Sequence, residues 1–218
     1  MQSKADKPDR KRQSGVIPQK VLWKAGTMLA PLPVSMVTCQ APGGKPNIIT
    51  VAWAGTVCSE PPMLGIAVRP SRYSFNLIRQ GKAFVVNVPT IELTAATDSC
   101  GVWSGRNVDK FKRLGLTPLP SKTVDVPGIA ECPVSLECRL RHEIPLGSHT
   151  LFLGEVMGVQ VTASLLDKDG RLALEKAGLI AFAHGGYYAL GKYLGYFGYS
   201  VRKNKRSRAV PRTSTRHA

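Results

Sequence analysis

The chain is short of acid. Fourteen Asp and Glu stand against thirty Lys and Arg in 218 residues, a formal net charge of +16. The imbalance is not spread evenly. Residues 1–20 carry six positive and two negative side chains, and residues 201–218 carry seven positive and none negative. Between them the excess of positive charge is small, ordinary for a soluble domain with an anionic ligand. Both ends also lack Phe, Trp and Tyr, so they bury too little apolar surface to offset an ordering cost of about 1–2 kcal/mol per residue. The sequence thus predicts disordered basic tails over 1–20 and 201–218 and one folded domain over 21–200.

Other absences narrow the function. No run of eighteen apolar residues occurs, which excludes a membrane-spanning helix. The five cysteines, Cys39, Cys58, Cys100, Cys132 and Cys138, are odd in number and form no CxxC pair. Pro31 and Pro33 interrupt the one stretch resembling a secretory signal, so a reduced cytoplasmic setting is expected. None of the four histidines pairs with another His or Cys at metal-ligand spacing, and no metal site is expected. Asp167-Lys168-Asp169-Gly170 starts like a calcium loop, but its ligand set breaks off, so a plain turn is expected. Phosphate-binding P-loop, GxGxxG, GxSxG and HExxH patterns are all missing.

What is present is strand-rich. Val34–Gln40, Asn47–Thr56, Met63–Arg69 and Ala83–Val88 are short β-branched or apolar runs bounded by turn signals. Residues 132–140 alternate, and His149–Thr162 reads as a long strand with Thr150, Phe152 and Val156 on one face. Leu179–Ala183 and Gly185–Leu190 close the ordered part. Short helices are expected within Pro70–Ile78, with Ser71 able to cap and an end near Gly81, and over Ile91–Val102 and Val108–Leu114. The fold class is mainly β (α+β), a barrel or sandwich with short inserted helices.

The helix start at Ser71, Arg72 and Ser74 offers hydroxyl, guanidinium and backbone N–H donors, the set a phosphate requires. The stretches NIITVAWAGTVCSEPPMLGIAVRPSRYSFNLI, GKAFVVNVP, SGRNVDKFKRLGL, GSHTLFLGEV and LIAFAHGGYYALGKYLGYFG follow one another in an order that resembles the flavin reductase-like, FMN-binding split-barrel family. The resemblance spans roughly residues 27–198.

It implies a split β-barrel with non-covalent FMN, NAD(P)H or a protein as electron donor, and a homodimer with FMN near the interface. It places Asn47 and Trp53 at the flavin, with the indole against the ring and the amide on its polar edge. Arg72, Ser74 and Lys110 fall where the FMN phosphate is held. His149 falls close to the ring, and Phe182 where an aromatic lines the pocket. The set Asn47, Trp53, Lys110 and His149 favours FMN over haem or F420. Cys58 and Cys100 lie near the pocket in sequence and are expected to be inert. A competing reading makes the C-terminal basic tail the active part, binding nucleic acid or an acidic redox partner with the barrel as scaffold.

Overall fold

The computed structural model describes residues 17–201. The predicted tails fall outside the described residues, apart from residues 17–20 and 201. The N-terminal half runs β1 (Leu32–Pro33), β2 (Ser35–Cys39), β3 (Asn47–Val51), β4 (Ala54–Ser59), β5 (Pro62–Val68), α1 (Tyr73–Gly81) and β6 (Ala83–Val88). Then come α2 (Thr94–Val102), α3 (Lys110–Leu114), β7 (Pro118–Leu119), β8 (Gly128–Ile129), β9 (Val134–Leu146), β10 (His149–Val161), β11 (Ile180–Ala183) and β12 (Gly186–Ala189).

Seven strands form one antiparallel sheet in the order β3-β2-β6-β9-β10-β5-β4. Its two edges, β3 and β4, are joined in the chain by Ala52 and Trp53 alone. Such a link reaches about 10 Å, so the sheet must curl until its edges meet. The expected single strand over Asn47–Thr56 is thereby corrected: it is two strands on opposite edges of a barrel. At the corner between them the Trp53 carbonyl accepts a hydrogen bond from the Ala67 N–H at 2.9 Å.

Side-chain alternation fills both faces of β2 and β3. Val37 and Ile49 point into the barrel with Ile66, Phe84 and Phe152, while Met36 and Ile48 point outward into a second core with Cys100, Phe111 and Ile129. Burial of a ring such as Phe84 or Phe152 contributes about 1.5–3 kcal/mol. Helix α1 plugs one end of the barrel with Phe75, Leu77 and Ile78, and the Phe75 and Phe152 rings lie 5.2 Å apart. On β10 the buried residues are Thr150, Phe152 and Gly154, on the face that carries Thr150, Phe152 and Val156. A Cβ at Gly154 would lie 2.6 Å from Phe84 Cζ, so the ring needs a glycine beneath it.

The expected Ser71 cap is not formed. An Arg72 N–H to Arg69 carbonyl bond of 3.0 Å turns the chain there, and α1 starts at Tyr73 behind Arg72 with no side-chain cap. The helix expected over Ile91–Val102 is a 3-10 turn at Ile91–Leu93 followed by α2. The next begins at Lys110 rather than Val108, because Asp109 Oδ1 accepts from the Lys112 N–H at 3.1 Å and caps it there. A three-stranded sheet, β1-β11-β12, lies at the Trp53 corner and pairs Leu32 with Phe182.

Candidate functional site

The barrel end beside the corner gathers polar groups that the core would otherwise exclude. Asn47, at the start of β3, donates from Nδ2 to Ser74 Oγ at 2.8 Å in the first turn of α1, and both residues are buried. The loop between α2 and α3 closes over this pair. A Cβ at Gly105 would lie 2.1 Å from Asn47 Oδ1 and 2.8 Å from Tyr73 Cδ1, an approach only glycine permits.

Lys110, the first residue of α3, is 4% exposed. Its Nζ donates to the carbonyls of Ile48 at 2.6 Å and Cys100 at 2.8 Å, bracketing β3 to α2 and committing two of its three donors. Burial lowers the Lys110 pKa, and Arg72 nearby acts in the same direction. The neighbouring thiols do not supply the missing negative charge. Burial holds Cys39 at about 12 and Cys100 at about 11, so both are neutral near pH 7. An anion in the cleft is what would stabilise this ammonium.

Asn47, Ser74 and Lys110, with Arg69, Arg72 and Trp53, line a cleft of about 580 Å³ to which no described residue contributes a carboxylate. A second cavity of about 230 Å³ shares Trp53, Arg69 and Arg72 and adds His149, Phe182 and Tyr187. Trp53 is 49% exposed, with its ring 5.6 Å from the His149 imidazole. Ser148 Oγ lies 2.9 Å from His149 Nδ1. Burial, and then the Arg69 charge, lower the His149 pKa. Tyr187 meets Phe182 edge-on at 5.4 Å and donates to Asp98 Oδ1 at 3.2 Å. Burial and the Asp98 carboxylate push its hydroxyl up to about 12.

Asn47, Trp53, Arg72, Ser74 and Lys110 thus stand around the larger cavity, and Trp53, Arg72, His149 and Phe182 around the smaller. Sequence reasoning missed Arg69, Gly105 and Tyr187. Gly105 had a signal, since it sits in the SGRNVDKF stretch, but its partner Asn47 is far away in the chain. Cys100 lines the cleft. Cys58 does not: it lies on the barrel-edge strand β4, where its Sγ donates to the Glu60 carbonyl at 3.4 Å.

Among the described residues no three His, Cys, Asp or Glu side chains are grouped to hold a metal. Asp167 makes the expected turn, accepting at Oδ1 from the Asp169 and Arg171 N–H groups at 3.0 and 2.8 Å. No described helix is long and apolar enough to cross a membrane.

A protein of Archaeoglobus fulgidus is 43% identical over 127 residues, which is 58% of this chain and 71% of that one. Among solved structures, flavoredoxin of Desulfovibrio vulgaris (Miyazaki F) superposes with a TM-score of 0.79 at 35% identity, covering 84% of this chain and all of the other. Flavoredoxin from Methanosarcina acetivorans follows at 0.76 and 26% identity, covering 85% and 100%. The sequence pattern of the flavin reductase like domain matches residues 27–191. With that pattern spanning most of the chain and the barrel shared end to end with the Desulfovibrio protein, the chain belongs to the flavin reductase-like split-barrel family.

Proposed function

We propose that the chain is a non-covalent FMN protein that moves electrons between a reduced donor and an acceptor. One observation carries the reading. Two cavities that share Trp53, Arg69 and Arg72 adjoin as a groove, with buried hydroxyl, amide and ammonium donors in the larger, an open indole with an imidazole and an aromatic in the smaller, and among the described residues no lining carboxylate. That donor set suits a phosphate joined to a planar ring, because a dianionic phosphate offsets the cost of the buried Lys110 ammonium and the nearby guanidinium groups. Bound FMN would supply the redox chemistry, taking up a hydride and passing the electrons on.

The chain's own residues bind and orient. In this reading Ser74 and Lys110, with Arg72, hold the phosphate end. Asn47 is fixed by Ser74 and Gly105 and presents its amide to the ligand. Trp53 lies against the ring, and Phe182 shields it from water. His149, whose pKa burial and then Arg69 lower, donates or accepts one hydrogen bond at the ring edge. No nucleophile or general base is required of the protein.

A homodimer fits the exposed apolar surface. Val57, Ile144 and Leu146 on the sheet, and Leu22 and Trp23 before β1 and Leu194 and Phe197 after β12, all lie open in the single chain, more than a monomer ordinarily leaves uncovered. The donor is NAD(P)H or a reduced protein. An acidic electron-transfer protein would suit the cationic side chains Arg69 and Arg72 and the basic C-terminal tail. The test is an absorbance spectrum of the purified protein between about 300 and 500 nm with released flavin identified, then anaerobic addition of NADH and NADPH. FMN bands that bleach with a nucleotide are expected. Bands that persist would make the donor a protein, and a colourless protein that FMN cannot reconstitute would overturn the reading.

A further inference from the structure

A third cavity, of about 300 Å³, lies beside the groove. Its walls come from two places. One is the strap at residues 27–30, which has no regular structure and leads through Pro31 into β1. The other is the β11–β12 turn at His184-Gly185. Trp53 lines this cavity and both of the others, and Phe182 lines this one and the smaller of them. An occupant would therefore rest on the half-exposed indole from outside the groove.

The turn residue is an uncommon one for its backbone. Ala183 pairs with Gly186 across a two-residue loop, and both loop residues have positive φ, 47° at His184 and 83° at Gly185. That is the tight hairpin turn for which Asn-Gly or Gly-Gly is the natural choice. His184 is exposed at this turn and puts a ring donor at the rim of the cavity, at a position where Asn or Gly is commoner. Among the described residues His184 is the one titratable residue lining this cavity. Among the described residues no carboxylate lines the cavity, so a cation would find only aromatic faces there, whereas a carboxylate would find the His184 ring. With Trp53, Phe182 and Met28 the cavity offers flat and polarisable surface to an aromatic ring.

We propose that this cavity is a binding site for a small aromatic carboxylate, stacked between Trp53 and Phe182 and anchored through its carboxylate by His184, with the strap at residues 27–30 folding over it. The inference rests on the flavin reading in that Trp53 and Phe182 would be shared between ring and ligand. The site itself consists of residues that hold no part of the phosphate.

The test is calorimetric titration of the FMN-loaded protein with 2-naphthoate, with flavin absorbance followed throughout. One molecule per chain is expected to bind without releasing flavin, and the amides of residues 26–30 exchange more slowly in its presence. His184→Asn keeps a residue suited to the turn, so its melting temperature equals or exceeds that of the parent protein while naphthoate affinity falls at least fivefold. Met28→Asp leaves the turn alone, sets a negative charge against the probe and lowers affinity at least tenfold, which decides the matter if the turn variant is unstable. No saturable binding, affinity unchanged in both variants, or displacement of flavin by naphthoate would each overturn the site. A protein that takes no FMN but binds naphthoate with this variant dependence would sink the flavin reading and leave the site standing.

Discussion

Two buried charges, Glu137 and Lys110, are handled in opposite ways. Glu137 on β9 is 1% exposed and its carboxylate is fully engaged. It accepts from the Lys122 N–H at 3.0 Å, from the Thr123 N–H and hydroxyl at 2.6 Å, and from Gln160 Nε2 at 2.8 Å. Burial alone would raise its pKa, yet these four donors more than offset that and hold it below the usual carboxylate value. Asn87 beside it is just as closed. Its Nδ2 donates to the Met36 carbonyl at 2.8 Å, and its Oδ1 accepts from the Ile129 N–H and the Ser135 hydroxyl at 2.9 and 2.8 Å. On the cleft side, Lys110 satisfies two of three donors and its pKa is lowered rather than supported. A saturated polar group has a structural task, whereas an unsaturated one on a cavity wall is set up for a ligand.

That contrast predicts opposite phenotypes. The largest effect belongs to Glu137→Leu, which orphans the buried donors that pin the loop at residues 120–127 to the sheet. It is expected to cost about 4 kcal/mol, with each stranded polar group contributing roughly 1–3, and to lower the melting point by about 10 °C, read by calorimetry. Protein that remains folded should keep its full flavin content. Because the folded pKa of Glu137 is depressed, its contribution is complete above the unfolded value and is lost as pH falls through the folded one, so acid should narrow the gap between the variant and the parent. A variant that loses flavin before it loses stability would break the distinction.

Gly105→Ala should do the reverse. A Cβ placed 2.1 Å from Asn47 Oδ1 pushes the amide out of the groove or lifts the loop off it. FMN affinity is expected to fall about a hundredfold, near 2.7 kcal/mol, with the melting point of the flavin-free protein shifted by only about 2 °C, or under 1 kcal/mol. Titration of that flavin-free protein checks it, and unchanged affinity would place the flavin away from Asn47.

The asymmetry also decides what could be read from the sequence. The strand runs, the three helices and the face of β10 were legible because side-chain alternation and turn residues are local. The break inside Asn47–Thr56 was not, since Ala52 and Trp53 carry no turn signal; only closure of the whole sheet imposes it. Ser71 looked like a cap because its chemistry suits one, but the Arg69 carbonyl takes the Arg72 N–H first and moves the helix start. Around the groove, the side chains set by short motifs were legible through the family resemblance. Those defined by meetings across the fold, Gly105 against Asn47 and Tyr187 against Asp98, were not. The arrangement of Lys110 was half legible: its motif was visible, its burial between two carbonyls was not.

Lys110 sharpens the comparison because it does both jobs. Lys110→Met keeps the stem and removes the ammonium, leaving the Ile48 and Cys100 carbonyls without their donor. Some stability should go with it. The diagnostic quantity is the ratio of FMN to riboflavin affinity, which is expected to fall about tenfold, or 1.4 kcal/mol, since riboflavin carries no phosphate. Equal losses for the two ligands would reduce Lys110 to a bracket between β3 and α2.

The smallest effect concerns His149, and it asks whether the cations of the groove sense one another while no anion is present. Its folded pKa lies below the ordinary 6.5, through burial first and Arg69 second. In the window just beneath 6.5 the unfolded chain therefore holds more protons than the folded one. Stability should rise with pH across that window and level off above it. Arg69→Ala removes the second cause and leaves the first, so the midpoint should move only part of the way back toward 6.5, and the slope of stability with pH should flatten. The imidazole proton resonance, assigned by its loss in His149→Gln, reports the midpoint by NMR. FMN added to the parent protein should move it in the same direction, because a phosphate beside Arg69 and Arg72 cancels the field that His149 feels. A midpoint that ignores both Arg69→Ala and FMN would mean that burial alone sets it, and that the phosphate end and the ring end of the groove are electrostatically separate.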